Sequence, residues 1–237
     1  QCDTRAPARA GFGALMAQRQ IFLEIQLGGG QQVDAQSRLQ AQALLRPGAL
    51  GWLELSAEWS ALSDLTTRTS VISNLPQQRI EIDLSVGQTT LRGQLDGVGA
   101  DAQYRHSVLD LRAADLITAW IMHLALNLTP ASPTRHTQLV ARDDTYTLQP
   151  VDDARELLTD LLACYSTGLT HPLPFFPRSA HAYAFASGDP SLAAKRCWES
   201  SSYVNGDDAN PWYQLAFRDA WGNLPHAEFV AQQERSY

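Results

Sequence analysis

Leu91-Arg92-Gly93-Gln94-Leu95-Asp96-Gly97-Val98, followed by Val108-Leu109-Asp110-Leu111-Arg112, is the stretch on which the fold turns. Just upstream, Ile80, Ile82, Leu84 and Val86 alternate with Arg79, Glu81, Asp83 and Ser85, the two-residue period of a half-buried strand. Gly87-Gln88 reads as a turn, and Thr89 to Val98 as a second strand with Leu91, Gly93 and Leu95 on one side. Gly99-Ala100-Asp101 turns the chain again, and Tyr104 to Leu111 is expected as a third strand. The three make an antiparallel meander that carries Asp96 and Asp110 toward a shared edge.

Carboxylates from neighbouring strands are what metal-dependent phosphodiester hydrolysis uses to hold Mg²⁺, with a lysine to orient or deprotonate the attacking water. The basic residue nearest these acids in the chain is Arg112, and a guanidinium that stays protonated cannot take a proton. The only lysine in the chain is Lys195, far downstream. A helix acid to complete such a site would come from Glu54 or Glu58, one turn apart. Asp110-Leu111-Arg112 can equally be read as a helix start carrying a surface charge. Catalysis is therefore not expected, and function is expected in binding.

With 237 residues, 44% of them hydrophobic, the chain can bury a sizeable core. No apolar run is long enough to span a bilayer, and the start Gln1-Cys2-Asp3-Thr4-Arg5 has no signal-peptide layout, so an excised piece of a larger cytoplasmic protein is expected. Cys2, Cys164 and Cys197 are odd in number and unevenly spaced, which fits a reducing compartment and supplies no CxxC ligand set. His106, His123, His136, His171, His181 and His226 show no zinc-ligand spacing. Neither a metal nor a cofactor is expected. A net charge of −7 argues against a whole surface built for phosphate, so any nucleic-acid contact must be local.

Residues 1–34 give little pattern beyond the break at Gly28-Gly29-Gly30. A short helix is expected from Ala35 to Arg46, then one helix with Trp52, Leu55, Trp59, Leu62 and Leu65 on its buried face. Ala114 to Leu128 reads as a helix through Leu116, Ile117, Trp120, Ile121, Leu124 and Leu128, with His123 as a satisfied core or boundary histidine. Two short strands, Thr137 to Ala141 and Thr145 to Leu148, turn at Asp143-Asp144. Asp152 or Asp153 should cap a helix closed by Gly168. Beyond Pro172-Leu173-Pro174-Phe175-Phe176-Pro177, helices are expected over 179–186, over 189–198 with Asp189 as cap, and over 210–218, with Phe217 and Trp221 one turn apart. The plan is α/β, an α+β mixed sheet, divided into an N-terminal segment 1–34, a core 35–170 and a helical extension 171–237.

An Asp ending one strand and an Asp-x-Arg following the next resembles the restriction-endonuclease-like superfamily, PD-(D/E)XK, with its lysine replaced. A set of segments resembles the C-terminal domain of RecC, the gamma subunit of exodeoxyribonuclease V. Its carriers are Leu44-Leu45-Arg46-Pro47-Gly48-Ala49-Leu50-Gly51, Leu91-Arg92-Gly93 with Asp96, Trp120-Ile121-Met122-His123-Leu124, Pro172 to Ala180, and Asn210-Pro211-Trp212-Tyr213 leading to Phe217-Arg218. They stand in the family's order.

That resemblance implies a degenerate nuclease fold inside the RecBCD helicase–nuclease, partnered by RecB and RecD and lining channels for the separated DNA strands. Asp96, Asp110 and Arg112 would be relict nuclease positions, and Arg92, Arg105 and Arg112 the DNA contacts. Trp120 and His123 would pack the helix behind the site, and Phe175 and Phe176 would anchor the connector against the sheet. Tyr104, at a turn, and Trp212 are candidates for a strand-splitting tip. The alternative is an active Mg-dependent nuclease domain of a related helicase–nuclease; such families add a four-cysteine iron–sulfur cluster whose ligands this chain lacks. A third reading is a purely protein-binding domain.

Overall fold

The computed structural model of the protein describes residues 12–217, which form two compact units. The first falls within residues 1–80, 94–111 and 131–150, and the second within 81–93, 112–130 and 151–237. In the first unit four helices, α1 (Phe12–Leu27), α2 (Gln32–Ala41), α3 (Gly48–Ala61) and α4 (Ser63–Ser73), bury Phe22, Leu23, Leu39, Leu55, Leu62 and Leu65 together with Val108, Leu109 and Val140. Each such side chain contributes roughly 1.5–3 kcal/mol by leaving water. Trp59 meets Phe22 edge-on at 5.8 Å.

The N-terminal stretch that gives little pattern thus supplies a core helix. The helix expected over 35–46 begins and ends earlier. The Asp34 carboxylate accepts from the Gln31 backbone N–H at 2.7 Å and starts it at Gln32, while Ala43, at φ 54°, turns the chain out of it. The Trp52-to-Leu65 stripe belongs to two helices, because Leu62 ends α3 and begins α4. Leu55, Leu62 and Leu65 are fully buried, but Trp52, at the stripe's edge, is 43% exposed.

Strands β1 (Gln78–Val86), β2 (Thr89–Val98), β3 (Gln103–His106), β4 (Thr137–Val140) and β5 (Thr145–Leu148) form a mixed sheet in that order among the described residues. The β1 alternation is as expected, with Ile80, Leu84 and Val86 buried. β2 and β3 are antiparallel, paired at Val98 and Gln103. β3 and β4 run parallel from Gln103↔Thr137 to His106↔Val140, which requires a crossover, and α5 (Ala113–Leu128) lies on it. β4 and β5 close as an antiparallel hairpin.

The third strand stops at His106, short of Leu111. Its last rung is the Ser107 N–H donating to Val140 O at 2.8 Å, where β4 itself ends, and Val108 and Leu109 then turn into the core. Tyr104 accordingly sits within a strand and not at a turn. Within β2, Gly97 holds φ +73°, and a Cβ there would lie 2.4 Å from the Tyr104 carbonyl oxygen, so the Asp96-Gly97 step needs glycine.

The second unit packs Leu84 and Val86 of the hairpin against Leu124 and Ala125 of α5 and Ala154 and Leu158 of α6 (Ala154–Gly168). His123 is fully buried, stacks on Trp120 at 5.6 Å and faces the Asn127 amide at 3.3 Å; Ile121, expected on the apolar stripe, is 40% exposed. Asp153 stands at the N-cap of α6 without a side-chain bond. In α8 (Pro190–Trp198), Asp189 does cap, accepting from the N–H groups of Ser191 and Leu192.

Phe176, directly before α7 (Pro177–Ala184), is buried against Trp198, Tyr213 and Phe217 at ring separations of 4.4, 4.8 and 5.7 Å, the last two rings in and beside α9 (Pro211–Ala216). It anchors the helical region and not the sheet, because the aromatic partners it needs lie downstream. Cys2, Arg218, Trp221 and His226 lie outside the described residues. No helix among the described residues is long and apolar enough to cross a membrane.

Candidate nucleic-acid interface

Asp96 lies on β2, one residue before the left-handed Gly97. Its carboxylate accepts from the guanidinium of Arg79 on β1, and its backbone carbonyl accepts from the Gln103 amide at 3.1 Å. Arg105, on β3, lies within its field. Strand alternation put Arg79 on the polar face, but only the hairpin register sets it opposite Asp96.

Asp110 lies in the loop between β3 and α5, not on a strand. Arg142, just beyond β4, donates through Nε to its carboxylate at 2.7 Å, and this contact holds Asp110 below the usual carboxylate range. The Arg142 guanidinium is in turn held more firmly protonated by Asp110, and Glu58 adds to the effect. Arg142 is itself fixed, because the Arg68 guanidinium donates to its carbonyl at 2.9 Å and the Leu109 carbonyl accepts from its N–H at 3.2 Å.

Of the two helix acids, Glu58 belongs to this group. It takes a two-bond contact from Arg19, at 2.7 and 3.1 Å, and the Arg19 charge reaches Asp110 as well. Arg19 is 7% exposed, so its charge is poorly screened by water. Glu54 instead pairs with Arg46 at 3.3 Å in a half-exposed contact. The structure thus gathers Glu58, Asp110, Arg19 and Arg142 into one neutral set, and joins Asp96 to Arg79 and Arg105. Among the described residues no three His, Cys, Asp or Glu side chains are grouped to hold a metal ion.

Arg112 is the N-cap of α5, and its guanidinium donates to Asp115 at 2.8 and 2.9 Å in the helix's own first turn. Asp115 is held below the usual range and Arg112 above its own by that contact. The reading of Asp110-Leu111-Arg112 as a helix start is what the backbone adopts. Arg92 is exposed on β2, with Asp83 of β1 at 3.4 Å. Arg105 is half-buried, and burial lowers its pKa more than Asp96 raises it. The adjacent His106 imidazole is exposed at the end of β3, yet it is held below its ordinary range, first by partial desolvation against the surrounding chain and then by Arg105.

Sequence reasoning missed Arg19, Arg79 and Arg142 as partners of the acids. They stand 39, 17 and 32 positions from the groups they answer; the Gly87-Gln88 turn sets Arg79 opposite Asp96, and no local pattern marks the other two pairs. Of the candidate tips, Trp212 is 75% exposed at the start of α9.

A comparison with family models matches residues 10–188 to the RecC C-terminal domain. No curated protein matches the chain.

Proposed function

We propose that this chain, which belongs to the RecC C-terminal domain family, is a non-catalytic DNA-channel and subunit-docking domain of the RecBCD helicase–nuclease, exodeoxyribonuclease V. Membership of that family supports a place in that DNA-repair complex, with RecB and RecD as partner subunits and DNA as substrate. The carrying observation is that each candidate metal-holding acid already faces a guanidinium: Asp96 has Arg79, Asp110 has Arg142, and Glu58 has Arg19.

A divalent cation needs several oxygen ligands with negative charge to spare. In the Glu58–Asp110 set that charge is cancelled, and an entering metal would have to displace Arg19 and Arg142 from bonded positions. Arg112 does not act for the missing lysine, because a guanidinium that stays protonated cannot take a proton, and its contact with Asp115 holds it more firmly charged. An active Mg-dependent nuclease, the alternative, would need both rearrangements. The order helix, three strands, helix, strand supports a degenerate restriction-endonuclease-like core within 35–170, with 171–237 as a helical extension.

The DNA contacts in this reading are Arg92, Arg105 and Arg112. Changing each to Glu in the assembled complex should weaken DNA binding, with the salt slope falling by about one for each phosphate contact removed. Assembly with the partner subunits should survive. Unchanged binding and salt slope for all three variants would leave a protein-binding domain without DNA contact.

A further inference from the structure

A groove of ≈ 390 Å³ in the first unit lies between the C-terminal end of α4 with the residues after it and strand β3. We infer that this groove takes one unstacked nucleotide of a DNA single strand, its phosphate against Arg105 and His106 and its base against the wall that includes Ile72 and Leu75. The inference rests on the DNA-contact reading above and names where, in this unit, such a contact is made.

The lining sets the chemistry. It includes Ser73, Gln77 and Tyr104 as hydrogen-bonding groups beside Arg105 and His106, and none of its residues is Asp or Glu. In a chain with 25 acidic against 18 basic residues, a concavity free of carboxylates selects for an anion. Leu75 is 41% exposed at this wall, an apolar surface of the kind on which a base face can rest. Thr69, also on the wall, is 2% exposed, and its hydroxyl has no hydrogen-bond partner among the described residues.

Electrostatics point the same way. Arg105 lines the groove half-buried, and Asp96 is the carboxylate in whose field it stands. A phosphate seated there would stand against the Arg105 guanidinium and favour the charged form of the exposed His106 imidazole beside it. Size restricts the occupant, since the volume lies at the lower end of small-ligand sites and admits a nucleotide but not a duplex.

The test uses the intact protein in its complex and a fluorescent oligo-dT strand, with Arg105→Gln, Ser73→Trp to fill the groove, and Arg92→Gln and Arg112→Gln in the other unit. The inference expects Arg105→Gln and Ser73→Trp each to weaken oligo-dT binding by about tenfold and to leave duplex binding nearly unchanged. An oligo-dT carrying a photoreactive base should cross-link within 69–77 or 104–106, which keeps the claim open to test even where Ser73→Trp fails to fold.

Wild-type binding by Arg105→Gln, with cross-links elsewhere and losses confined to Arg92→Gln or Arg112→Gln, overturns the groove and spares the DNA-contact reading. No loss in any variant overturns both. Competition by free dTMP as effective as by the strand overturns the single-strand assignment in favour of a lone nucleotide.

Discussion

Gly97 shows how one backbone position ties the Asp96 strand to its neighbour. At φ +73° an L-side chain is strained by roughly 1–2 kcal/mol, and here its Cβ would also press on the Tyr104 carbonyl at 2.4 Å. Gly97→Ala should cost about 2–4 kcal/mol, read as a lower urea midpoint. His106 gives a pH-dependent counterpart. Because partial desolvation and Arg105 hold the folded pKa of this exposed ring below the ordinary value, the unfolded chain takes up a proton first as pH falls, a small effect screened by solvent. Its contribution is complete above about pH 6.5 and is lost as pH drops toward the folded value. Asp110 and Asp115, depressed by Arg142 and Arg112, add a second loss that starts near about pH 4 and runs down through their folded values. The urea midpoint should therefore fall between about pH 7.5 and 5.5, and His106→Gln should shrink that fall. An identical fall in the variant would contradict the assignment. The sequence marks Asp96 and Asp110 as candidate acids and leaves the helix acid open between Glu54 and Glu58. It does not mark their guanidinium partners, since the fold alone brings Arg142 from 32 positions away.

Elements follow local chemistry where a cap or a period dictates them. Asp189 before Pro190 announces α8, and its carboxylate accepts from Ser191 and Leu192 at 2.9 and 3.2 Å. Asp153 before α6 carries the same sequence signal without the bond, because its backbone, at φ −91° and ψ 20°, lacks the extended cap geometry. Asp189→Ala should cost about 1 kcal/mol and Asp153→Ala less than about 0.5 kcal/mol, measured by urea titration. Equal losses would contradict this account of the two termini. The β1 alternation and the α5 stripe were legible because one face of each is buried. The α3–α4 break at Leu62 was not, since the apolar spacing runs on through it. Phe176 lay beyond local reading too: its ring is held by Trp198, Tyr213 and Phe217, and Phe176→Ala should cost roughly 3–5 kcal/mol.

For the whole molecule, sequence order conveyed the mixed sheet, because three alternating strands, a helix and a strand leave few topologies once β3 and β4 must be parallel. It did not convey how the charges settle. A net charge of −7 and 17 arginines suggest a chain with acids to spare, yet Asp96, Asp110, Glu58 and Asp115 are each answered by a named arginine. That settlement underlies the proposed loss of hydrolysis with retention of DNA contact. The direct measurement is incubation of the purified chain with single- and double-stranded DNA in Mg²⁺ or Mn²⁺, with product length read on a denaturing gel. The account expects no cleavage with either metal; cleavage that disappears in Asp96→Ala or Asp110→Ala would contradict it.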